Sequence, residues 1–105
     1  MTMLPTDLVR TLVVIADTGS LDAAARRLDI TPSAVSQRLK SLETLVGRVL
    51  LVRSKPARLT EAGDALVRFA RQTQQLEEDA LRALGITSEG ARARVVVRLD
   101  TDLRA

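Results

Sequence analysis

A mainly α fold is what this 105-residue sequence predicts: a three-helix core, a short two-stranded ribbon and a long C-terminal helix. Three observations carry the prediction. Apolar residues recur at helical spacing along most of the chain. The periodic stretches are opened by Pro or a capping Ser or Thr, and most are closed by Gly. The composition is 46% apolar with one aromatic residue, Phe69, so alanine and aliphatic side chains build the core, and these favour helices. At this length one domain, with or without a tail, buries a core without disulfide or metal staples.

Pro5 suits a first helical turn, and Leu8, Leu12 and Ile15, with Val9 and Val13 beside them, form an apolar stripe. Gly19 closes this helix, placed at 5–17. Ser20 or Asp22 caps a short helix at 22–28, with Leu21, Ala24, Ala25 and Leu28 inward. A tight link, Asp29-Ile30-Thr31, follows. Thr31 as cap and Pro32 as first residue start a third helix, whose stripe is Val35, Leu39, Leu42 and Val46 and whose stop is Gly47. Val49–Val52 reads as a strand, 53–57 as a basic turn and Arg58-Leu59 as a second strand.

Thr60 caps a long helix over 61–84, about 36 Å in length, closed by Gly85. Its expected inward positions are Ala62, Leu66, Phe69, Thr73, Leu76, Ala80 and Ala83, spaced as a heptad seam. No other segment is long enough to pair with that seam, so a second copy of the chain is the expected partner. The domain reading is therefore 1–60 for the core and ribbon, 61–84 for a linker and dimerisation helix, and 85–105 for a tail. Within the tail, 94–99 reads as a strand with no sheet to join, the pattern of a piece of a longer protein.

Several chemistries are excluded. The chain has no Cys and no His, hence no thiolate, no zinc–thiolate site and no imidazole base or ligand. No constellation of nucleophile, acid and base is visible, so an enzyme is disfavoured and no cofactor or metal is expected. One aromatic residue gives no platform for stacking unpaired bases. No apolar run reaches membrane-spanning length and no signal peptide is evident, so no membrane association and a cytoplasmic location are expected.

Charge is unevenly placed. Residues 32–60 carry Arg38, Lys40, Arg48, Arg53, Lys55 and Arg58 against one acid, Glu43. Residues 61–84 carry Arg68, Arg71 and Arg82 against Glu61, Asp64, Glu77, Glu78 and Asp79. The basic third is suited to an anionic partner docking at one place, while Arg26, Arg27 and the acids of the long helix read as solvated faces. A short helix, a three-residue turn and a longer capped helix is the helix-turn-helix pattern. The outer face of the third helix carries Ser33, Ser36, Gln37, Lys40 and Thr44, with Arg38 and Ser41 beside them and no acid. Small hydroxyls allow close approach to phosphate, Gln37 can pair with an adenine edge, and Arg38 or Lys40 can reach guanine or phosphate. The Thr31 cap offers helix N-terminal amides to a phosphate. The basic turn 53–58, with Arg53, Lys55 and Arg58, is a candidate wing reaching a minor groove.

The stretches GSLDAAARRL (19–28) and ITPSAVSQRL (30–39), then Leu42-Glu43, Gly47, Leu50-Leu51, Arg53 and LTEAG (59–63), resemble the N-terminal domain of LysR-type transcriptional regulators. The resemblance covers about residues 4–84 and is most similar to the lysine/arginine-responsive branch. It implies a winged helix-turn-helix, a linker helix that dimerises antiparallel, and an α/β effector-binding domain whose first strand 94–99 would supply. It further implies a sequence-specific regulator on double-stranded DNA in the nucleoid. That regulator would be a homodimer, with a tetramer open to a full-length form, and would take a lysine or arginine effector only where the effector domain is present. Thr31, Ser33 and Ser36 fall where family members meet phosphates or thymine methyls. Gln37 stands where many carry a base-reading Arg, Thr31-Pro32-Ser33 replaces a common Ser-Gln-Pro, and the wing is a residue or two shorter. Arg53 and Arg58 remain alternatives for the groove-entering side chain. The alternative function is an antagonist module that pairs with a longer relative through 61–84.

Overall fold

The computed structural model describes residues 4–86. In chain order it contains α1 (Thr6–Thr18), α2 (Leu21–Leu28), α3 (Pro32–Val46), β1 (Leu51–Val52), β2 (Arg58–Leu59) and α4 (Glu61–Ala83). These are the expected elements in the expected order. The strand expected at 94–99 lies outside the described residues.

Local chemistry sets each boundary. Pro5 stands one position earlier than its sequence context suggests: it is the cap residue of α1, and its carbonyl accepts the Val9 N–H at 3.1 Å. Gly19 ends α1 at φ 88°, a left-handed conformation that favours glycine, with its N–H on the Ile15 carbonyl at 2.8 Å. Ser20, rather than Asp22, caps α2: its hydroxyl accepts the Ala23 N–H at 3.0 Å. Asp29 closes α2 in the left-handed region, and the Ile30 N–H reaches back to the Ala25 carbonyl at 3.0 Å. Thr31 Oγ1 accepts the Ala34 N–H at 3.1 Å and starts α3 with Pro32 behind it.

Helices α1, α2 and α3 pack on one another around Leu12, Ile15, Val35, Leu39 and Leu42. Buried Ala24 and Ala25 present little bulk and allow α2 a close approach. The inward face of α1 differs from the sequence stripe. Val9, Thr11, Leu12, Val14 and Ile15 are buried, while Leu8 and Val13 are half-buried. Two neighbouring helices cover α1, so its buried arc is wider than one stripe and includes a polar residue. Thr11 tolerates this because its hydroxyl donates to the Asp7 carbonyl one turn back, at 2.8 Å.

The ribbon is shorter than the Val49–Val52 stretch suggests. Leu51 pairs with Leu59 and Val52 with Arg58, antiparallel. The Val49 carbonyl and the Leu50 N–H turn to side chains, which ends the paired strand at Leu51, although the Leu50 carbonyl still accepts the Thr60 N–H in the same register. The Val49 carbonyl accepts the Thr60 hydroxyl at 2.6 Å, and its side chain is 65% exposed. Leu50 donates its N–H to Glu43 Oε2 at 2.8 Å and accepts the Thr60 N–H at 3.1 Å. Thr60 Oγ1 also accepts the Gly63 N–H at 3.0 Å, capping α4.

Helix α4 meets the core at Gly63 and Val67, with Ala62, Leu66 and Ala70 half-buried around them. The line that α4 buries against its own core thus differs from the heptad positions, which are expected to face a second copy. A Cβ at residue 63 would stand 2.0 Å from the Leu50 carbonyl oxygen, so only glycine lets the helix lie there. That contact turns 63 and 67 inward and moves 62 and 66 to the flank. Phe69 is 46% and Leu76 70% exposed, and Thr73 and Ala80 are exposed as well. The compact unit that holds the core runs to Ala70; Arg71 begins a second unit.

Gly63→Ala is expected to lower stability by about 3 kcal/mol, because backbone must move to admit the methyl group. Urea unfolding followed by circular dichroism measures this, and an unchanged midpoint would refute the close approach.

Candidate nucleic-acid interface

The outer face of α3 begins with its cap. Thr31 is exposed, and its Oγ1 is occupied by the Ala34 N–H, so its hydroxyl serves the helix start first. Ser33, Gln37 and Lys40 are exposed, and Ser36 and Arg38 half-buried. Gln37 and Lys40 line an open groove of about 690 Å³ with Ser41, Thr44 and Leu45. Every residue lining that groove is neutral or cationic, as a surface facing phosphate requires.

The wing is fastened at both ends of its turn. Ser54 Oγ donates to the Pro56 carbonyl at 2.7 Å, and the Ala57 N–H donates to the Gly19 carbonyl at 2.9 Å. Gly19, between α1 and α2, thus holds the turn of the wing where it enters β2. Lys55 and Arg58 are exposed. Arg53 is exposed too, yet its guanidinium Nη2 donates to Ser36 Oγ at 3.1 Å. Two residues read separately from the sequence, one on α3 and one in the candidate wing, are therefore in contact.

Glu43 has a role that composition hid. In the sequence it is only the lone acid of a basic stretch. In the fold it is half-buried, its carboxylate accepts the Leu50 N–H, and its backbone carbonyl accepts the N–H groups of Gly47 and Arg48 at 2.9 and 3.3 Å. The anion thereby joins the end of α3 to the start of the ribbon. Its isolation among cations was the one available signal. Gly63, quoted in the sequence only as part of LTEAG, is likewise structural through its approach to Leu50. Among the described residues no group of three or more acidic side chains lies close enough to hold a metal ion.

Comparison with known proteins agrees with this geometry. Residues 6–64 match the family model for bacterial regulatory helix-turn-helix proteins of the lysR family. The chain is 50% identical over 94 residues to the HTH-type transcriptional regulator LysG of Mycobacterium tuberculosis H37Rv, covering 90% of this chain and 31% of that one. Among solved structures, full-length LysG from Corynebacterium glutamicum aligns with a TM-score of 0.70 at 47% identity, over 75% of this chain and 28% of that one. The DNA complex of the CbnR DNA-binding domain aligns at 0.67 with 27% identity, over 90% of this chain and 99% of that one. The chain spans about a third of the length of the LysG proteins it matches.

Glu43→Ala would leave the Leu50 N–H without its acceptor. The expected loss is about 1–2 kcal/mol, with faster hydrogen exchange at the Leu50 amide; protection equal to the wild type would show that another group takes the bond.

Proposed function

Because the chain belongs to the lysR family of bacterial regulatory helix-turn-helix proteins, we propose that it reads double-stranded DNA as a sequence-specific transcription regulator, with α3 in the major groove and the wing at the adjacent minor groove. The observation that carries this reading is the acid-free, solvent-facing surface of α3, which continues into the basic wing through the Arg53–Ser36 hydrogen bond. Ser33 and Ser36 are small enough to bring the helix against the backbone. Lys40, Lys55 and Arg58 supply charge, and Arg38 lies half-buried on the edge of the same helix. Gln37, exposed in the centre of the face, offers a donor and an acceptor to adenine. Nothing in this reading requires a catalytic step.

The functional species on this reading is a homodimer. Phe69 and Leu76, a heptad apart on α4, are exposed large apolar side chains. An apolar groove of about 380 Å³, lined by Leu4, Val46, Leu50, Ala65, Leu66 and Phe69 among others, adjoins the seam on the core unit. A second α4 would cover these surfaces, and pairing two α3 helices fits a two-fold operator. The domain division of 1–60, 61–84 and 85–105 goes with that assembly. No described helix is long and apolar enough to cross a membrane, and a DNA partner places the chain with the nucleoid. LysG of Corynebacterium glutamicum is known with bound effector Arg. A lysine or arginine response belongs to this protein where an effector domain accompanies the chain.

Duplex affinity should fall steeply with salt, with a log–log slope near −0.9 per phosphate engaged. Selection from random duplexes should return a different preferred sequence for Gln37→Ala than for the wild type; the same preference would remove Gln37 from base reading. Absence of duplex binding at low salt, with mixing into a longer relative, would favour the antagonist reading instead. Leu76→Asp should yield monomers in analytical ultracentrifugation, and an unchanged sedimentation mass would dismiss the seam.

A further inference from the structure

The hydrogen bond between Arg53 and Ser36 assigns the wing's two arginines to different tasks. Cross-strand partners of an antiparallel ribbon share a face, and neighbours along a strand alternate. Leu51 and Leu59 are partners on the inner face, buried and half-buried; Val52 and Arg58 are partners on the outer face, both exposed. Arg53 lies just past β1, in a tight turn where the Ser54 N–H donates to the Val52 carbonyl at 2.9 Å, and there its guanidinium meets α3 at Ser36. Arg53 is thus turned toward α3, whereas Arg58 lies with Val52 on the exposed face of the ribbon.

The bond also decides what the Ser36 hydroxyl does. Such a group has one proton to donate and two lone pairs. Thr11 and Thr18 donate theirs to carbonyls one turn back, at 2.8 and 2.7 Å. Ser36 instead accepts from Arg53, and that is the one hydrogen bond of either side chain among the described residues. The cation beside it makes the hydroxyl a stronger donor, and the guanidinium keeps further N–H groups. A hydroxyl donor and a guanidinium fork, side by side at the junction of recognition helix and wing, match one non-bridging pair of phosphate oxygens.

We propose that Arg53 and Ser36 form a single clasp for one DNA backbone phosphate at the edge of the major groove. Arg53 orients the Ser36 hydroxyl and shares its ligand, and Arg58, on the exposed face of the ribbon, serves the minor groove. The clasp rests on the DNA-binding reading above and specifies its ligand.

The test is a double-mutant cycle on the 105-residue chain, using the duplex selected by the wild type. Ser36→Ala and Arg53→Ala should each weaken binding about tenfold, and the pair together far less than the hundredfold product, since both remove the same contact. The salt slope of Arg53→Ala should fall by about 1. Scanning the duplex with neutral methylphosphonates should find one position at which neither substitution has further effect. Netropsin in the flanking minor groove should abolish the effect of Arg58→Ala and leave that of Arg53→Ala intact. Independent, multiplying losses would overturn the clasp, as would an Arg53→Ala effect that disappears under netropsin. Failure of the wild type to bind any duplex would instead overturn the DNA-binding reading itself.

Discussion

The backbone of Leu50 is held from three directions. Glu43, near the end of α3, accepts its N–H; Thr60, at the start of α4, donates to its carbonyl; and the Cα of Gly63 lies against that same carbonyl. Its side chain is buried in the core. This one peptide therefore sets where the ribbon leaves the recognition helix and where α4 crosses the core. The ribbon itself has two paired residues per strand and could not hold its own position. Fixing Leu50, and tying Ala57 to the Gly19 carbonyl, gives a minimal wing a defined direction.

That geometry also organises charge. The single acid in the basic third of the chain is engaged with a backbone N–H, so it acts as a strut between α3 and the ribbon. The cations divide between the face of α3 and the wing, and Arg53 bridges the two. A nucleic-acid surface assembled from two elements needs their spacing fixed before the partner arrives, because misplacement by an ångström forfeits several charge-assisted contacts together. The Leu50 anchor and the Arg53–Ser36 bond supply this from opposite ends of the ribbon.

Helix α4 presents two different lines of residues along its length. Its first turns belong to the core through Gly63 and Val67, whereas Phe69 and Leu76 keep large apolar surfaces in solvent. The offset between the buried line and the heptad line leaves Phe69 and Leu76 exposed while Gly63 and Val67 pack. Residues committed to the core are not those the seam would use, apart from Ala62 and Leu66 on the flank.

The helices were legible because their signals are local. Thr31-Pro32, Ser20, Gly19, Gly47 and the spacing of Val35, Leu39 and Leu42 act within a turn or two of where they stand, so composition and period sufficed for element order and for the polar face of α3. The resemblance to LysR-type regulators added the expectation of antiparallel pairing through the long helix and of a separate effector-binding domain. What the sequence could not settle depends on partners distant along the chain. Val49 and Leu50 have the residue types of a strand, but Thr60 and Glu43 take their hydrogen bonds. Thr11 is polar, yet α1 is covered on two sides. The heptad spacing in α4 is a local pattern, but Gly63 against Leu50 decides which line of the helix meets its own core. Arg53 and Ser36, seventeen residues apart, meet because the turn that follows β1 brings Arg53 against α3. Local propensity and periodicity specify elements; which face is buried and which side chains converge is fixed by packing, whose terms no single segment contains.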